Sequence, residues 1–376
     1  SDEDIEAVVA VLRSDFITQG PSIRGFEQAV ANYCGVAHAI AVNSATSALH
    51  IACLALGVGS GDLVWTSPIT FVASSNCALY CGADVDFVDV DDATANMSVD
   101  ALSAKLAAAE AAGRLPKVVI PVHLCGTSCD MKAIRELGDR YGFSIIEDAS
   151  HAIGGRYFDL PVGSCTYSDI TVFSFHPVKI ITTGEGGMAV TDDAGLAQRM
   201  DLLRSHGVTR DPSLMNREGD GPWYYQQVEL GFNYRITDIQ AALGLSQMSR
   251  LDEFVTRRHE IADWYDGHLA ELPLQLPVRP ADSYSALHLY VIRVDLDGTR
   301  RTHQEVFEGL RARGIGVNLH YIPVYTQPYY ERLGFSPGLC PTAERYYARA
   351  ISIPMFPNLT AEDLAAVKGA LVDALA

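Results

Sequence analysis

The sequence has too few basic residues to present a surface that binds polyanions. It contains 28 lysine and arginine residues against 46 aspartate and glutamate residues, a formal net charge of −18 at pH 7. Binding to nucleic acid or to an anionic membrane requires dense local lysine and arginine, so we expect neither partner. An anionic small molecule needs only a few local donors, and Arg24, Arg204 and Arg235 are candidates for that role, with Arg204 retained as a candidate substrate residue.

The sequence also lacks a long apolar run and a leader-like start. No apolar run is long enough to cross a bilayer. The first residues, SDEDIEAVVAVLRSD, are acidic and amphipathic, whereas a secretory leader has a basic segment followed by an apolar one. These features predict a cytoplasmic protein.

The eight cysteines do not form a metal-binding motif. The closest pairs, Cys77 with Cys81 and Cys125 with Cys129, each have three residues between the partners. Zinc sites more often have two residues between cysteines, with further cysteine or histidine at a matching distance. We therefore predict free thiols in a reducing compartment and no metal site.

The composition and the order of elements are those of an α/β protein. Hydrophobic residues make up 48% and charged residues 20% of the 376 residues, and a chain of this length usually forms more than one domain. Strand-like and helix-like runs alternate from residue 38 to residue 191, which predicts a doubly wound, mostly parallel sheet. We assign residues 1–240 to this large domain and residues 241–376 to a smaller C-terminal α+β domain.

The second half of the sequence contains fewer patterns that predict secondary structure. A long irregular stretch is predicted over residues 207–231, and such stretches are commonly functional or part of an interface. One helix is predicted from residue 237 to about residue 269, crossing between the domains. Thr302 with Glu305 forms the pattern of a capping box, and Thr360 is predicted to start the last helix.

A lysine follows a strand-like run in the stretch YSDITVFSFHPVKIITTGEGGMAVT, residues 167–191. Residues 170–175 are β-branched and aromatic and predict a buried strand, and the next loop contains Pro177 and three glycines. We expect this arrangement to hold Lys179 in place. A desolvated lysine loses proton affinity and becomes a nucleophile toward carbonyl groups, as Schiff-base chemistry requires. An ordinary loop lysine is the alternative interpretation of this stretch alone.

An aspartate ends the preceding predicted strand. Residues 143–147 (FSIIE) form a short apolar strand, and Asp148 follows it. Open α/β sheets bind ligands at the carboxyl ends of their parallel strands. Pyridoxal phosphate (PLP) needs such an acid against its ring nitrogen, because the protonated ring is the electron sink that stabilises a carbanion. Asp148 alone is also compatible with a turn aspartate, but Asp148 and Lys179 on successive strand ends predict a PLP site.

Several segments in order carry a resemblance to a known family. They are FITQGP, EDASHA, FSFHPVKIITTGEGG, GFNYR, HYIPVY and SIPMFPNLT. With them the chain resembles, over nearly its whole length, the sugar aminotransferases of the DegT/DnrJ/EryC1/StrS family. The resemblance implies a fold-type I PLP enzyme that acts on nucleotide-linked keto sugars.

The resemblance also implies roles for individual residues. It implies that Asp148 lies at the ring nitrogen of the cofactor and that Lys179 is the covalent anchor and the base. Three residues are implied to contact the phosphate: Ala45, Thr46 and Ser174. Phe71 is implied to contact the ring face, His151 the phenolic oxygen, and Asn233 the phosphate in the neighbouring subunit. The Asn233 contact implies a homodimer with shared active sites. His320 and Tyr321 of HYIPVY are implied substrate residues. Without the resemblance, Ala45 and Thr46 are compatible with a simple helix start, Phe71 with a core position and His151 with a structural role.

The segments NSATSALH, PITFVA and FSFHPVK most resemble one branch of the family. That branch moves an amino group from glutamate to C4 of a UDP-linked 4-keto-6-deoxy-N-acetyl hexose on the way to pseudaminic acid. GEGG in place of AEGG, and the loop from Cys125 to Cys129, depart from the branch pattern. The alternatives are an aminotransferase for a dTDP- or GDP-linked 4-keto-6-deoxy sugar, a dehydratase, which would have histidine in place of Lys179, and a non-catalytic scaffold on the same fold.

Overall fold

The chain folds into helices and strands that cover most of its length. The computed structural model describes all 376 residues. The strands are β1 (His38–Val42), β2 (Leu63–Thr66), β3 (Asp84–Phe87), β4 (Val118–Ile120), β5 (Ser144–Asp148), β6 (Arg156–Tyr157), β7 (Leu160–Pro161), β8 (Ile170–Ser174), β9 (Gly187–Thr191), β10 (Val208–Thr209), β11 (Gln226–Gln227), β12 (Leu274–Gln275), β13 (Ser283–Tyr284), β14 (Tyr290–Val294) and β15 (Ala350–Ile353). The helices are α1 (Asp2–Leu12), α2 (Pro21–Cys34), α3 (Ala45–Ala55), α4 (Ala73–Tyr80), α5 (Val99–Ala111), α6 (Met131–Tyr141), α7 (Ala194–Arg204), α8 (Asp238–Met248), α9 (Leu251–Leu269), α10 (His303–Ala312), α11 (Pro328–Glu331), α12 (Pro341–Tyr347) and α13 (Ala361–Leu375).

A seven-stranded sheet forms the centre of the large unit. Its strand order is β1-β9-β8-β5-β4-β2-β3, and only β9 runs antiparallel to its neighbours. Successive side chains on a strand point to opposite faces. On β8, Val172 joins the core beneath α3 and α4, whereas Phe173 joins the core beneath α2. Helices therefore cover both faces, and the predicted doubly wound, mostly parallel sheet is confirmed.

The C-terminal unit has its own sheet and core. β12, β14 and β15 pair antiparallel in the order β12-β14-β15. Residues of α9, α10 and α13 pack on this sheet around the buried Tyr265 and Tyr290. No helix in either unit combines the length and the apolar character that a membrane span requires.

The predicted crossing helix is two helices. α8 ends at Met248 and α9 begins at Leu251. At the break the Ser249 hydroxyl donates to the Ser246 carbonyl oxygen (2.7 Å), and the Arg250 guanidinium pairs with Asp4 (2.6 Å). These two contacts favour a turn over a continuous helix.

The domain boundary predicted at residues 240 and 241 falls inside α8. That helix packs on α1 and α2, and the buried residues of α9 join the C-terminal core from Ile261 onward. We therefore propose that the large unit extends through α8 and that α9 leads into the smaller unit.

One segment of the C-terminal half returns to the large unit. The Val324 N–H donates to the Pro68 carbonyl oxygen (2.9 Å), and the rings of Tyr325 and Tyr330 pack on Phe87 at 5.7 and 5.8 Å. This return brings the HYIPVY segment to the edge of the central sheet where the parallel strands end.

Residues 207–231 are largely irregular, as predicted. The exception is a two-residue antiparallel pairing of β10 with β11. Several large side chains of this segment are exposed, including Trp223 (70%) and Leu230 (78%).

Candidate active site

A cavity of about 420 Å³ lies at the carboxyl ends of the parallel strands. β5 and β8 are neighbours in the sheet, so Asp148 and Ser174 at their ends face one space together with Lys179 from the turn after β8. Eight residues singled out from the sequence line this cavity: Ala45, Thr46, Phe71, Asp148, His151, Ser174, Lys179 and Tyr321. Arg204, Asn233 and His320 do not line it.

A closed loop places Lys179. After β8, the Thr182 hydroxyl and the Thr183 N–H both donate to the Phe175 carbonyl oxygen, at 2.9 and 3.0 Å. The Phe175 N–H donates to the carbonyl oxygen of Gly186 at 2.9 Å, which closes the base of the loop. Within the loop, the Lys179 N–H donates to the carbonyl oxygen of His176 at 2.9 Å. The backbone of the lysine is thus fixed by its own loop.

The Lys179 amine has weakened proton affinity. Burial lowers the pKa of Lys179 to about 8, and the nearby Asp148 carboxylate and Cys125 thiol oppose this shift only in part. Removing an amine from water disfavours its charged form, which is the physical cause. A share of the amine is therefore neutral and nucleophilic near neutral pH.

Two donors orient the Asp148 carboxylate. The residue is 4% exposed. Its Oδ2 accepts the Ser74 hydroxyl at 2.6 Å, and its Oδ1 accepts the Ser150 N–H at 3.1 Å. The Ser74 hydroxyl also lies 2.6 Å from Thr70 Oγ1. These two hydrogen bonds fix the direction in which the buried carboxylate faces the cavity.

The start of α3 forms an anion cradle. Ser44 is the N-cap, and its hydroxyl accepts the Ser47 N–H at 3.1 Å. The N–H groups of Ala45 and Thr46, the first two residues of the helix, have no acceptor within the helix and lie at the cavity. A Cβ at Gly187 would lie 2.4 Å from the Ala45 nitrogen, so β9 approaches the cradle closely because it has no side chain there.

Phe71 is not a core residue. Its side chain is 60% exposed and lies at the cavity wall. The alternative that it packs in the core is therefore wrong. A flat apolar ring is open to a ligand in this position.

The structure keeps His320 off the cavity wall. Its Nδ1 lies 2.7 Å from Ser352 Oγ, and its carbonyl oxygen accepts the Tyr346 hydroxyl at 2.9 Å. Burial, reinforced by the Lys179 charge, lowers the pKa of His320 to about 4. These contacts support a structural role, and only Tyr321 of the implied substrate pair reaches the cavity.

Arg204 also lies outside the cavity. Its guanidinium pairs with Glu27 and Asp201 and donates to the Ala41 carbonyl oxygen at 2.8 Å. This partly buried arginine ties α7 to α2 and β1, and its two carboxylate partners leave few N–H groups for a substrate. The candidate substrate role of Arg204 is therefore not supported.

Asn233 is exposed on the segment that leads into α8, and its backbone pairs with Ser205. It does not contact the cavity of its own chain. This placement is compatible with a contact to a neighbouring subunit, which stays a prediction.

Sequence reasoning missed three residues of the site. Ser74 holds Asp148, Glu185 lines the cavity mouth, and the Cys125 N–H donates to His151 at 3.3 Å. Ser74 and Cys125 are distant from their partners in sequence, so no local pattern marks them. Glu185 stands within the GEGG segment, which was the one available signal.

Comparisons with known proteins give matches along nearly the whole chain. A family model described as the DegT/DnrJ/EryC1/StrS aminotransferase family matches residues 1–372. The spore coat polysaccharide biosynthesis protein SpsC of Bacillus subtilis (strain 168) is 38% identical over 366 residues, covering 96% of this chain and 92% of SpsC. Helicobacter pylori PseC, an aminotransferase involved in the biosynthesis of pseudoaminic acid, matches with a TM-score of 0.91 and 31% identity, covering 100% of this chain and 96% of PseC. Spr1654 from Streptococcus pneumoniae in its PLP form matches with a TM-score of 0.87 and 29% identity, covering 100% of this chain and 97% of Spr1654.

The fold and the family match define a PLP-dependent aminotransferase. The chain belongs to the DegT/DnrJ/EryC1/StrS aminotransferase family. It is a sugar aminotransferase, and its cofactor is PLP. The predicted family, fold class, enzyme class and cofactor are confirmed.

Proposed function

We propose that this enzyme moves an amino group from L-glutamate to C4 of a UDP-linked 4-keto-6-deoxy-N-acetyl hexose, a step of pseudaminic acid biosynthesis. The observation that carries amino transfer is the meeting of a desolvated Lys179 amine and an oriented Asp148 carboxylate in one cavity. The likeness to PseC supports the choice of sugar. We place the reaction in the cytoplasm.

The phosphate of PLP fits the cradle at the start of α3. The free N–H groups of Ala45 and Thr46 and the Ser174 hydroxyl would hold it. Any side chain at Gly187 would intrude on the same helix start, which supports a site shaped for a ligand.

The ring of PLP fits the remaining wall. The Asp148 carboxylate would face the ring nitrogen, the exposed Phe71 ring would cover one ring face, and the Lys179 amine would hold the aldehyde carbon covalently. Asp148 and Lys179 are therefore the proposed catalytic residues.

The bound cofactor supplies a ring that withdraws electrons from the carbon next to the transferred nitrogen. Asp148 would hold a proton at the ring nitrogen, and its bonds from Ser74 and Ser150 orient it for that task. The Nζ of Lys179 would take a proton from the Cα of the amino donor and deliver it to the carbon that carries the aldehyde in free PLP, which its lowered pKa permits near neutral pH. The fixed loop keeps this nitrogen in register with the reacting carbon.

A homodimer completes the proposed site. Lys179 is the only lysine or arginine on the cavity wall, where Asp148 and Glu185 also lie. A phosphate cofactor and a nucleotide diphosphate bring several negative charges, so one chain supplies too few positive groups. We infer that a second copy covers the exposed segment 207–231 and that Asn233 reaches the phosphate in the neighbouring subunit.

A product assay tests the proposed reaction. The enzyme is incubated with glutamate and a panel of UDP-, dTDP- and GDP-linked 4-keto-6-deoxy sugars, and the amino sugars are identified by mass spectrometry. Amination of the UDP-linked N-acetyl sugar in preference to the others is the expected result. Lys179→Ala is the inactive control, and Lys368→Ala, which changes another partly buried lysine on α13, is the matched active control. Preference for a dTDP- or GDP-linked sugar would contradict the proposed acceptor.

A further inference from the structure

A buried histidine and a buried glutamate form a pair next to Asp148. His123 follows β4 and has no exposed surface, and Glu147, which is 5% exposed, is the residue before Asp148 on β5. Successive side chains on a strand point to opposite faces of the sheet, so the Glu147 carboxylate points away from the cavity that Asp148 faces. Neither His123 nor Glu147 lines that cavity.

The imidazole of His123 donates a hydrogen bond to the carboxylate of Glu147. Its Nδ1 accepts the Cys129 N–H at 3.1 Å. A nitrogen that accepts a hydrogen bond carries no proton, so the ring proton is on Nε2. Nε2 lies 2.6 Å from Glu147 Oε2, which accepts this proton in a hydrogen bond.

The backbone of His123 contacts β5 as well. The His123 N–H donates to the Asp148 carbonyl oxygen at 3.0 Å, and the Asp148 N–H donates to the Pro121 carbonyl oxygen at 2.9 Å. His123 thus holds two consecutive residues of β5, one through its backbone and one through its side chain. Because a planar peptide group joins Glu147 to Asp148, a shift of Glu147 also moves Asp148.

Glu147 is also held from the strand on its other side. Its Oε1 accepts the hydroxyl of Ser168 and, at 3.2 Å, that of Thr171, which is its partner residue on β8. Burial raises the pKa of Glu147, but the hydrogen bonds from His123, Ser168 and Thr171 outweigh this effect and leave the pKa below its ordinary value. The side chain is therefore a buried carboxylate anion that depends on its donors.

The other contact of His123, from Cys129 to Nδ1, concerns the loop of residues 124–129. This loop has a second support, because Asn96 accepts the Leu124 N–H at 3.0 Å and donates to the Thr127 carbonyl oxygen at 3.0 Å. Loss of the bond to Nδ1 therefore leaves the loop held. The bond from Nε2 is the one on which we expect the position of β5 to depend.

We propose that His123 is a positioning residue for Asp148 and that it acts through its bond to Glu147. This inference rests on the proposed function, which places the Asp148 carboxylate at the ring nitrogen of PLP. A buried charge that loses a donor is costly, so removal of the Nε2 donor is expected to displace the end of β5. The displacement would turn the Asp148 carboxylate away from the ring nitrogen.

Cofactor affinity tests the inference, because the proposed contact with Asp148 needs the ring nitrogen of PLP. Cofactor-free protein is titrated with PLP and with its 1-deaza analogue, which has a C–H group in place of that nitrogen, and the ratio of the two dissociation constants is measured. The wild type is expected to prefer PLP by about tenfold to a hundredfold, as for one hydrogen bond to a charged group. Asp148→Ala is expected to lose this preference. General damage to the fold would weaken both ligands alike and leave the ratio unchanged.

Two substitutions of His123 separate its two side-chain contacts. His123→Gln keeps a donor near the position of Nε2, and His123→Asn keeps an acceptor near the position of Nδ1. We expect His123→Asn to reduce the preference for PLP roughly threefold to tenfold and His123→Gln to keep most of it. His303→Asn changes a histidine outside the cavity wall whose Nε2 lies 3.0 Å from a carbonyl oxygen, and this matched control should behave as the wild type. A wild-type preference in His123→Asn, or a larger loss in His123→Gln than in His123→Asn, would overturn the inference.

A double variant tests whether Glu147 transmits the effect. Glu147→Met removes the acceptor and keeps a long side chain, and it is expected to reduce the preference for PLP as much as His123→Asn does. The two substitutions together should lose no more than either alone, because they remove the same bond. Losses that multiply would overturn the role of Glu147. A wild-type protein that binds PLP and the analogue equally well would instead contradict the proposed place of Asp148, and this inference with it.

Discussion

The proton affinity of Lys179 results from two opposing effects, burial of the amine and the charged groups near it. Burial lowers its pKa to about 8, while Asp148 and Cys125 act in the opposite direction. The net result is an amine that is partly neutral at the pH of a cell, compared with about 10.4 for a lysine in water. This property is testable without knowing the sugar.

Capture of PLP by the cofactor-free protein is expected to depend on pH. Only the neutral amine attacks an aldehyde, so the rate should rise about tenfold per pH unit below about pH 8 and level off above it. The rate is followed by stopped-flow absorbance of the Schiff base, with Lys179→Ala as the control that develops no Schiff-base band. A rate that keeps rising toward about pH 10.4 would show that burial does not lower the lysine pKa.

For some residues the place at the cavity could be predicted from the sequence, and for others it could not. Lys179 and Asp148 were predictable because Asp148 ends one strand-like run and Lys179 lies in the loop after the next, and parallel strand ends meet at one edge of a sheet. The pair of Arg204 with Glu27, which directs this side chain away from the cavity, was not predictable because it forms only when α7 packs near α2. Tyr321 reached the cavity through the return of a segment that no local pattern predicted.

At the scale of elements, the site depends on the close approach of β9 to the start of α3. Gly187 begins β9, and a Cβ there would lie 2.4 Å from the Ala45 nitrogen. Real Cβ atoms do not come so close to backbone, so any side chain must displace the strand or the helix start.

Gly187→Ala is expected to weaken cofactor binding. Overpacking of this kind costs about 1–3 kcal/mol, which corresponds to roughly tenfold to a hundredfold in affinity when the cradle absorbs the shift. The dissociation constant is measured by titrating cofactor-free protein with PLP. Gly369→Ala, in α13 with no atom within 4 Å of the added Cβ, is the matched control and should bind normally. Equal affinity of Gly187→Ala and wild type would contradict the proposed cradle.

Helix starts were predictable where they depend on local contacts. Thr302 forms the predicted capping box, and Thr360 caps the last helix at the predicted start. The break between α8 and α9 was not predictable, because it involves a pair between Arg250 and Asp4, which are 246 residues apart. Local chemistry thus sets the element ends, and long-range contacts decide which elements are continuous.

For the whole molecule, the composition of the cavity wall and the exposed apolar surface both favour a second copy. The cavity wall has one lysine and no arginine for an anionic cofactor. The segment 207–231 exposes Trp223 and Leu230, which a monomer would leave in water. Burial of this segment between two copies would cover the apolar surface and bring Asn233 near the neighbouring site.

Leu230→Asp is expected to shift the protein from dimer to monomer at micromolar concentration and to weaken PLP binding. The residue is 78% exposed, so the substitution places a charge in the proposed interface without disturbing the core. Mass is measured by light scattering after size-exclusion chromatography. Val372→Asp, on the exposed face of α13, is the control that should stay dimeric. A wild-type protein that is monomeric under these conditions would contradict the shared site.

The central claim is a covalent link between one side-chain nitrogen and the cofactor, and it can be measured directly. The chain has five lysines, so the bond formed with PLP can be assigned to one of them. The loaded protein is reduced with borohydride and digested, and the peptides are analysed by tandem mass spectrometry. The account predicts the pyridoxyl mass on Lys179 and on no other lysine. An unlabelled Lys179, or a label found on a different lysine, would contradict it.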